Sequence, residues 1–242
     1  MRPRRSTSET TRCLRAALGR IIVCASLLPL LASLILTQVP VHAAESASIS
    51  FSLDFPQSSP EHYQISVESD GHAHYESNGK ISADSDARED YETDFALSDA
   101  TRTHIFDLAA HAHYFSGKVD SGNKKLAFTG TKKLVYKDGQ RNSSAEYNYS
   151  ALPAVQQLTT LFQSIGATLE FGRRLTYYHR YQKLALDDEL KRMEDQAQRG
   201  DLAELNAVSP VLQQIYDDSS VMNVVRARAR RIMEISPVSS HN

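Results

Sequence analysis

From Ile49 to Tyr149 apolar and polar positions alternate. Ile49, Phe51, Leu53 and Phe55 form one run and Tyr63, Ile65 and Val67 the next, the period-two pattern of strands that bury one face. Asp70-Gly71, Asn78-Gly79 and Asp138-Gly139 punctuate this half as hairpin signals, and Pro56 and Pro60 bound the first turn. Register selects the turn at Asp70-Gly71. A two-residue loop would set Val67 against His74 and Ile65 against Glu76. A three-residue loop, Ser69-Asp70-Gly71 with Gly71 left-handed, sets Val67 against Ala73 and Ile65 against Tyr75 and keeps the apolar face intact. The stretch from Ser82 to Glu92 is acidic and nearly free of apolar residues, which predicts an exposed excursion. One helix interrupts the strands, with Ser98 as N-cap, Asp99 at its positive end and Ile105, Phe106, Leu108, Ala109 and Ala112 as its apolar face up to Phe115.

After Ser150 the period changes to 3.6 and stays there. Ser150 is read as the cap of a helix with Pro153 in its first turn and a break near Gly166. A longer helix is expected from about Ala167 to Arg199, on the stripe Phe171, Leu175, Tyr178, Gln182, Leu186, Leu190, Met193 and Ala197, with Tyr177, Tyr181 and Leu184 as a second inward stripe. Asp201 would cap another helix carrying Leu202 to Ile215, kinked or broken at Pro210, and a last helix would run from Val221 to about Ile235. Strands first and helices after predict an α+β fold: an N-terminal antiparallel sheet with one packed helix (44–149), then an all-helical C-terminal region (150–242) packed on or appended to the sheet.

The first 43 residues read differently. Six arginines precede an apolar run from Ile21 to Leu36 that is too short to span a bilayer, and Val41-His42-Ala43 has the small residues of a signal-peptidase site. The expectation is a signal peptide cleaved after Ala43 and a secreted or periplasmic product with no stable membrane span; an N-terminal membrane anchor is the alternative. The segment takes six of the 27 basic and one of the 29 acidic residues, leaving 21 against 28, a charge of −7. Both cysteines, Cys13 and Cys24, leave with it, so a mature chain has no disulfide and no thiol ligand.

Candidate chemistry is sparse. His72-Ala73-His74-Tyr75 recurs as His111-Ala112-His113-Tyr114. On a strand His72 and His74 share a face and are the candidates for a metal, whereas His111 and His113 on a helix point apart. No nucleophile elbow, zinc-protease helix, Walker loop or dinucleotide glycine fingerprint appears, so no catalytic residue and no cofactor is assigned. Glu61, Glu76 and Asp107 are the carboxylates a cleft would use. Asp84 and Asp86 lie in the excursion, and Asp187-Asp188-Glu189 reads as a solvated helix face. Arg173, Arg174, Tyr177, Arg180 and Tyr181 form an aromatic and basic patch and are the candidate ligand or partner surface, although most of its tyrosine area is read as core. Asn142 and Asn148 open glycosylation sequons, which matter only in a eukaryotic secretory route. Arg226, Arg228, Arg230 and Arg231 split to two flanks of the apolar stripe of the last helix and are expected to dock it on acidic groups such as Asp187, Asp188 or Asp217; with the negative mature charge, this disfavours nucleic acid as a partner.

The run Tyr63-x-Ile65-x-Val67 into Asp70-Gly71 and Tyr75, followed by a helix ending in Tyr114-Phe115, resembles small exported bacterial domains. Pro210-Val211-Leu212-Gln213 through Arg226 to Arg231 resembles exported proteins of acidobacterial type. The resemblance covers most of the chain after residue 43, implies export and carries no catalytic residue across. The resulting expectation is a non-catalytic binding or structural/assembly module of the envelope or extracellular space, with an envelope protein or a glycan as partner. A motif-free hydrolase or metal-dependent enzyme is the first alternative and a histidine-based metal binder the second.

Overall fold

The computed structural model describes residues 46–56, 58–81 and 89–235; the expected signal segment and Asp84 and Asp86 lie outside them. Six strands, β1 (Ser48–Asp54), β2 (His62–Glu68), β3 (His72–Ser77), β4 (Tyr91–Ala96), β5 (Thr131–Lys137) and β6 (Asn142–Tyr147), form one antiparallel sheet in the order β4-β3-β2-β1-β5-β6. Alternation fixes its faces. Ile49, Phe51, Ile65, Val67, Tyr75 and Leu134 are buried on one side, while the other presents Ser50, Ser52, Gln64, Ser66, His74 and Lys133. The first hairpin has the three-residue loop that register requires: Gly71 has φ of 95°, and Val67 pairs with Ala73 and Ile65 with Tyr75. By contrast Asn78-Gly79 makes no tight hairpin but opens the connection to β4, and Asp138-Gly139 sits in a four-residue loop in which the Asp138 carboxylate accepts from the Gln140 and Arg141 amides.

Helix α1 (Asp99–His111) begins where Ser98 Oγ accepts from Thr101 N, and a 3₁₀ turn, His113–Phe115, follows it. Helix α2 (Pro153–Tyr181) crosses the buried face of the sheet, where the Phe162 ring stacks on Phe51 at 5.3 Å. Its N-cap is Leu152, not Ser150; the Ser150 hydroxyl instead donates to Val119 O and accepts from Leu152 N. The expected break at Gly166 does not occur. Gly166 sits inside α2 because it lets the Tyr63 ring approach, and a Cβ there would stand 3.1 Å from that ring.

The helical path breaks instead at Gln182, the one polar residue in the long stripe, so the single helix expected from 167 to 199 is two: α2, and α3 (Leu186–Gln198) after a 3₁₀ turn at Lys183–Ala185. That break also undoes the second inward stripe. Tyr181 is 62% and Leu184 84% exposed, although Tyr178 is buried and Tyr177 half-buried. Asp201 caps no helix; a 3₁₀ turn, Leu205–Val208, leads into α4 (Ser209–Asp217), with Pro210 in its first turn where it costs no hydrogen bond. Helix α5 runs Asn223–Glu234, two residues later than the expected start at Val221.

Its arginines divide as their spacing dictates. Arg228 and Arg231 hold Glu194 at 3.1 and 2.6 Å and Arg228 also pairs with Asp187, while Arg226 donates to Tyr216 O and Arg230 pairs with Glu234. The Arg231 and Arg228 hydrogen bonds draw the Glu194 carboxyl below its usual range.

Candidate functional site

A cleft of about 370 Å³ lies where the β1–β2 loop stands off from α2 and α3. Its apolar wall is Leu53, Phe55, Tyr63 and Phe171; its polar wall is Gln163, Glu170 and Arg174 from α2 with Arg192 and Gln196 from α3, and Ser58 and Ser59 line its rim. Helical spacing builds the charged cluster along and behind this wall: Glu170, Arg173 and Arg174 stand at i, i+3 and i+4, and Glu189 and Arg192 at i and i+3.

Two buried carboxylates organise the arginines. Glu170 Oε1 accepts from the hydroxyls of Tyr75 and Ser77, both at 2.8 Å, with Arg173 and Arg174 each 3.8 Å from its oxygens. Glu189, fully buried, takes Arg174 Nε at 2.7 Å on one oxygen and Arg192 on the other. Burial, reinforced by Glu170, pushes the Tyr75 hydroxyl far above the ordinary phenol range, so it stays a donor to that carboxylate. Tyr63 is raised too, first by burial and then by Tyr147. The cluster carries three guanidinium groups against two carboxylates, and Arg192, 64% exposed, faces the opening. Its chemistry therefore suits a ligand with an apolar body and an anionic head.

The five residues singled out in the sequence separate in space. Arg174 lines the cleft, and Arg173 is buried behind it, donating to Gly79 O at 3.0 Å and Glu89 O at 2.7 Å and lying 5.3 Å from the Tyr91 ring centroid. Tyr177, Arg180 and Tyr181 lie at the far C-terminal turns of α2, where the Tyr181 ring packs tilted against Tyr177, centroids 5.2 Å apart, and Arg180 lies over Tyr181. Sequence reasoning passed over Glu170, Arg192, Gln163 and Gln196, and read Glu189 as solvated. Glu189 is the correction to the solvated-face reading: Asp188 is exposed, but Glu189 is buried and Asp187 binds Arg228. A signal for Glu170 was present, since it sits between buried Leu169 and Phe171 with two arginines one turn on.

His72 and His74 do share the open sheet face, with His74 Nδ1 2.8 Å from Asp94. Among the described residues no three His, Cys, Asp or Glu side chains cluster to hold a metal ion. Glu76 and Asp107 are exposed; Glu76 borders a second depression of about 600 Å³, shared with His62, Asp90 and Glu92. Neither a protein-family model nor a curated protein matches this chain.

Proposed function

We propose that the chain is an exported, non-catalytic binding module that takes a small amphipathic anion, of the medium-chain carboxylate class, in the cleft beside α2. One observation carries this reading: the cleft sets Leu53, Phe55, Tyr63 and Phe171 against Arg174 and the exposed Arg192, at the edge of a cluster that, with Arg173 behind the wall, holds three guanidinium groups against the two carboxylates Glu170 and Glu189. The apolar wall supplies burial of the ligand chain, and the guanidinium groups give its head direction and selectivity. Export is supported by the arginine-rich start, the short apolar run and Val41-His42-Ala43.

The test is calorimetric titration of the mature chain with octanoate, octanol and octylamine. Octanoate should bind and octylamine should not. Ala167→Phe, which fills the cleft, should abolish binding, and Arg192→Ala should weaken octanoate while sparing octanol. Equal affinity for all three, or octanoate binding that survives Ala167→Phe, would refute the reading.

A further inference from the structure

The segment from Ser116 to Gly130 joins the 3₁₀ turn after α1 to β5 without regular structure, and a loop of this length inside a packed domain calls for a use. It is firmly held. Ser121 N donates to Tyr149 O at 2.8 Å, Asn148 Oδ1 accepts from Thr129 N, and Asn148 Nδ2 donates to Ala127 O. The buried Lys132 ammonium closes the base on Thr129 O, Gly130 O and Asn148 O. A turn closed by Leu126 N on Asn123 O puts Lys124 and Lys125 at the tip, both exposed.

The loop exposes large apolar groups beside that tip, Leu126 and Phe128 at 56%, and the segment hydrogen-bonded to its stem exposes Tyr149 and, three residues on, Leu152. Phe128 packs edge-on against Phe55 with ring centroids 6.0 Å apart, and Phe55 lines the cleft, so the exposed apolar surface runs on into the cleft wall. We propose that this loop, with Tyr149 and Leu152, docks the protein on an anionic lipid bilayer, Phe128 and Leu126 entering the interface and Lys124 and Lys125 meeting the headgroups. The reading of the cleft as a site for an amphipathic anion supplies the purpose of docking; the surface itself rests on its own residues.

Charge supports the occupant despite the net −7. The acidic face residues Glu76, Glu92 and Asp94 lie on β3 and β4, three to four strand spacings from β5 in the sheet order. At ~4.8 Å per strand that is roughly 14–19 Å, beyond the Debye length of ~8 Å at physiological salt. At the near end the carboxylates Asp54, Glu146 and Asp120 stand among the cations Lys118, Lys132 and Lys133: Glu146 lies opposite Lys133, Asp120 beside Lys118, and Asp54 hydrogen-bonds His62 at 2.7 Å. Lys124 and Lys125 are therefore the local excess, with aromatic and aliphatic groups beside them as interfacial binding requires.

The experiment is co-sedimentation of the mature chain with phosphatidylcholine vesicles, with and without phosphatidylglycerol. Wild type should sediment only with the anionic vesicles, and less at high salt. Each lysine near such a surface contributes about fivefold, so Lys124→Gln with Lys125→Gln should weaken binding about 25-fold, and Leu126→Ser with Phe128→Ser should release the protein while its melting temperature holds. Ala167→Phe should leave sedimentation unchanged, so failure of the cleft reading is seen separately from failure of docking. No sedimentation of wild type, equal sedimentation with neutral vesicles, or a preference for dextran sulfate over vesicles would overturn the proposal.

Discussion

At Gly172 α2 lies close against Val208 in the turn that precedes α4. A Cβ built there would lie 2.5 Å from Val208 Cγ1 and 3.3 Å from Val208 Cβ, whereas carbon atoms pack at about 3.5–4.0 Å. Val208 is buried, at 5% exposure, so it has little room to retreat. Overpacking of this kind costs about 1–3 kcal/mol. Alanine recovers about 1 kcal/mol through its helix propensity. Gly172→Ala should therefore destabilise the protein by up to about 2 kcal/mol, a fall in melting temperature of up to roughly 8 °C for a domain of this size. Urea unfolding followed by far-ultraviolet circular dichroism measures it, and tyrosine emission is a second probe because the chain has no tryptophan. The clash has a signature that a general loss of helix stability lacks: Val208→Ala should cost stability in the wild type but much less in the Gly172→Ala background, a coupling of about 1 kcal/mol. Strict additivity of the two substitutions, or stabilisation by Gly172→Ala alone, would refute the packing argument.

Other outcomes follow from single groups. Gly71→Ala meets only ordinary contacts, the nearest 3.5 Å away at Arg102, so its cost should be that of a left-handed alanine, about 1–2 kcal/mol by denaturant titration. Lys132→Met orphans carbonyls of the 116–130 loop and should cost about 1–3 kcal/mol in the same assay. Glu194 is held below its usual range when folded, so its contribution is complete above the unfolded carboxylate pKa and fades as pH falls through the folded one. Glu194→Gln should thus lower stability at neutral pH and flatten its decline into acid, read from melting temperatures across a pH series. N-terminal sequencing of exported material should begin at Ala44, and a membrane-retained full-length product would contradict cleavage.

What was legible in the sequence was local. The register of β2 and β3 follows from which side chains would meet across three or two loop residues, and the division of the α5 arginines follows from 100° per residue. The helix break at Gln182 is visible as a flaw in the stripe, yet periodicity alone reads through one polar residue and so places Tyr181 and Leu184 inward, when both are exposed. The cleft was hidden because its contacts are distant in the chain: Tyr75 and Glu170 are 95 residues apart, and Arg174 meets Glu189 across a helix break. Buried Glu189 looks solvated in the sequence because two aspartates precede it; its own helix supplies Arg192 for one oxygen, and only the tertiary approach of α2 supplies Arg174 for the other.

Binding of an amphipathic anion in the cleft beside α2 can be followed residue by residue. Amide chemical-shift mapping of the mature chain during octanoate titration tests it most directly. Saturable shifts should concentrate at Gly166, Ala167, Glu170, Phe171 and Gln196, with Ser50, Ser66 and His74 on the open sheet face unmoved. Shifts confined to the open face, or none at saturating octanoate, would contradict it.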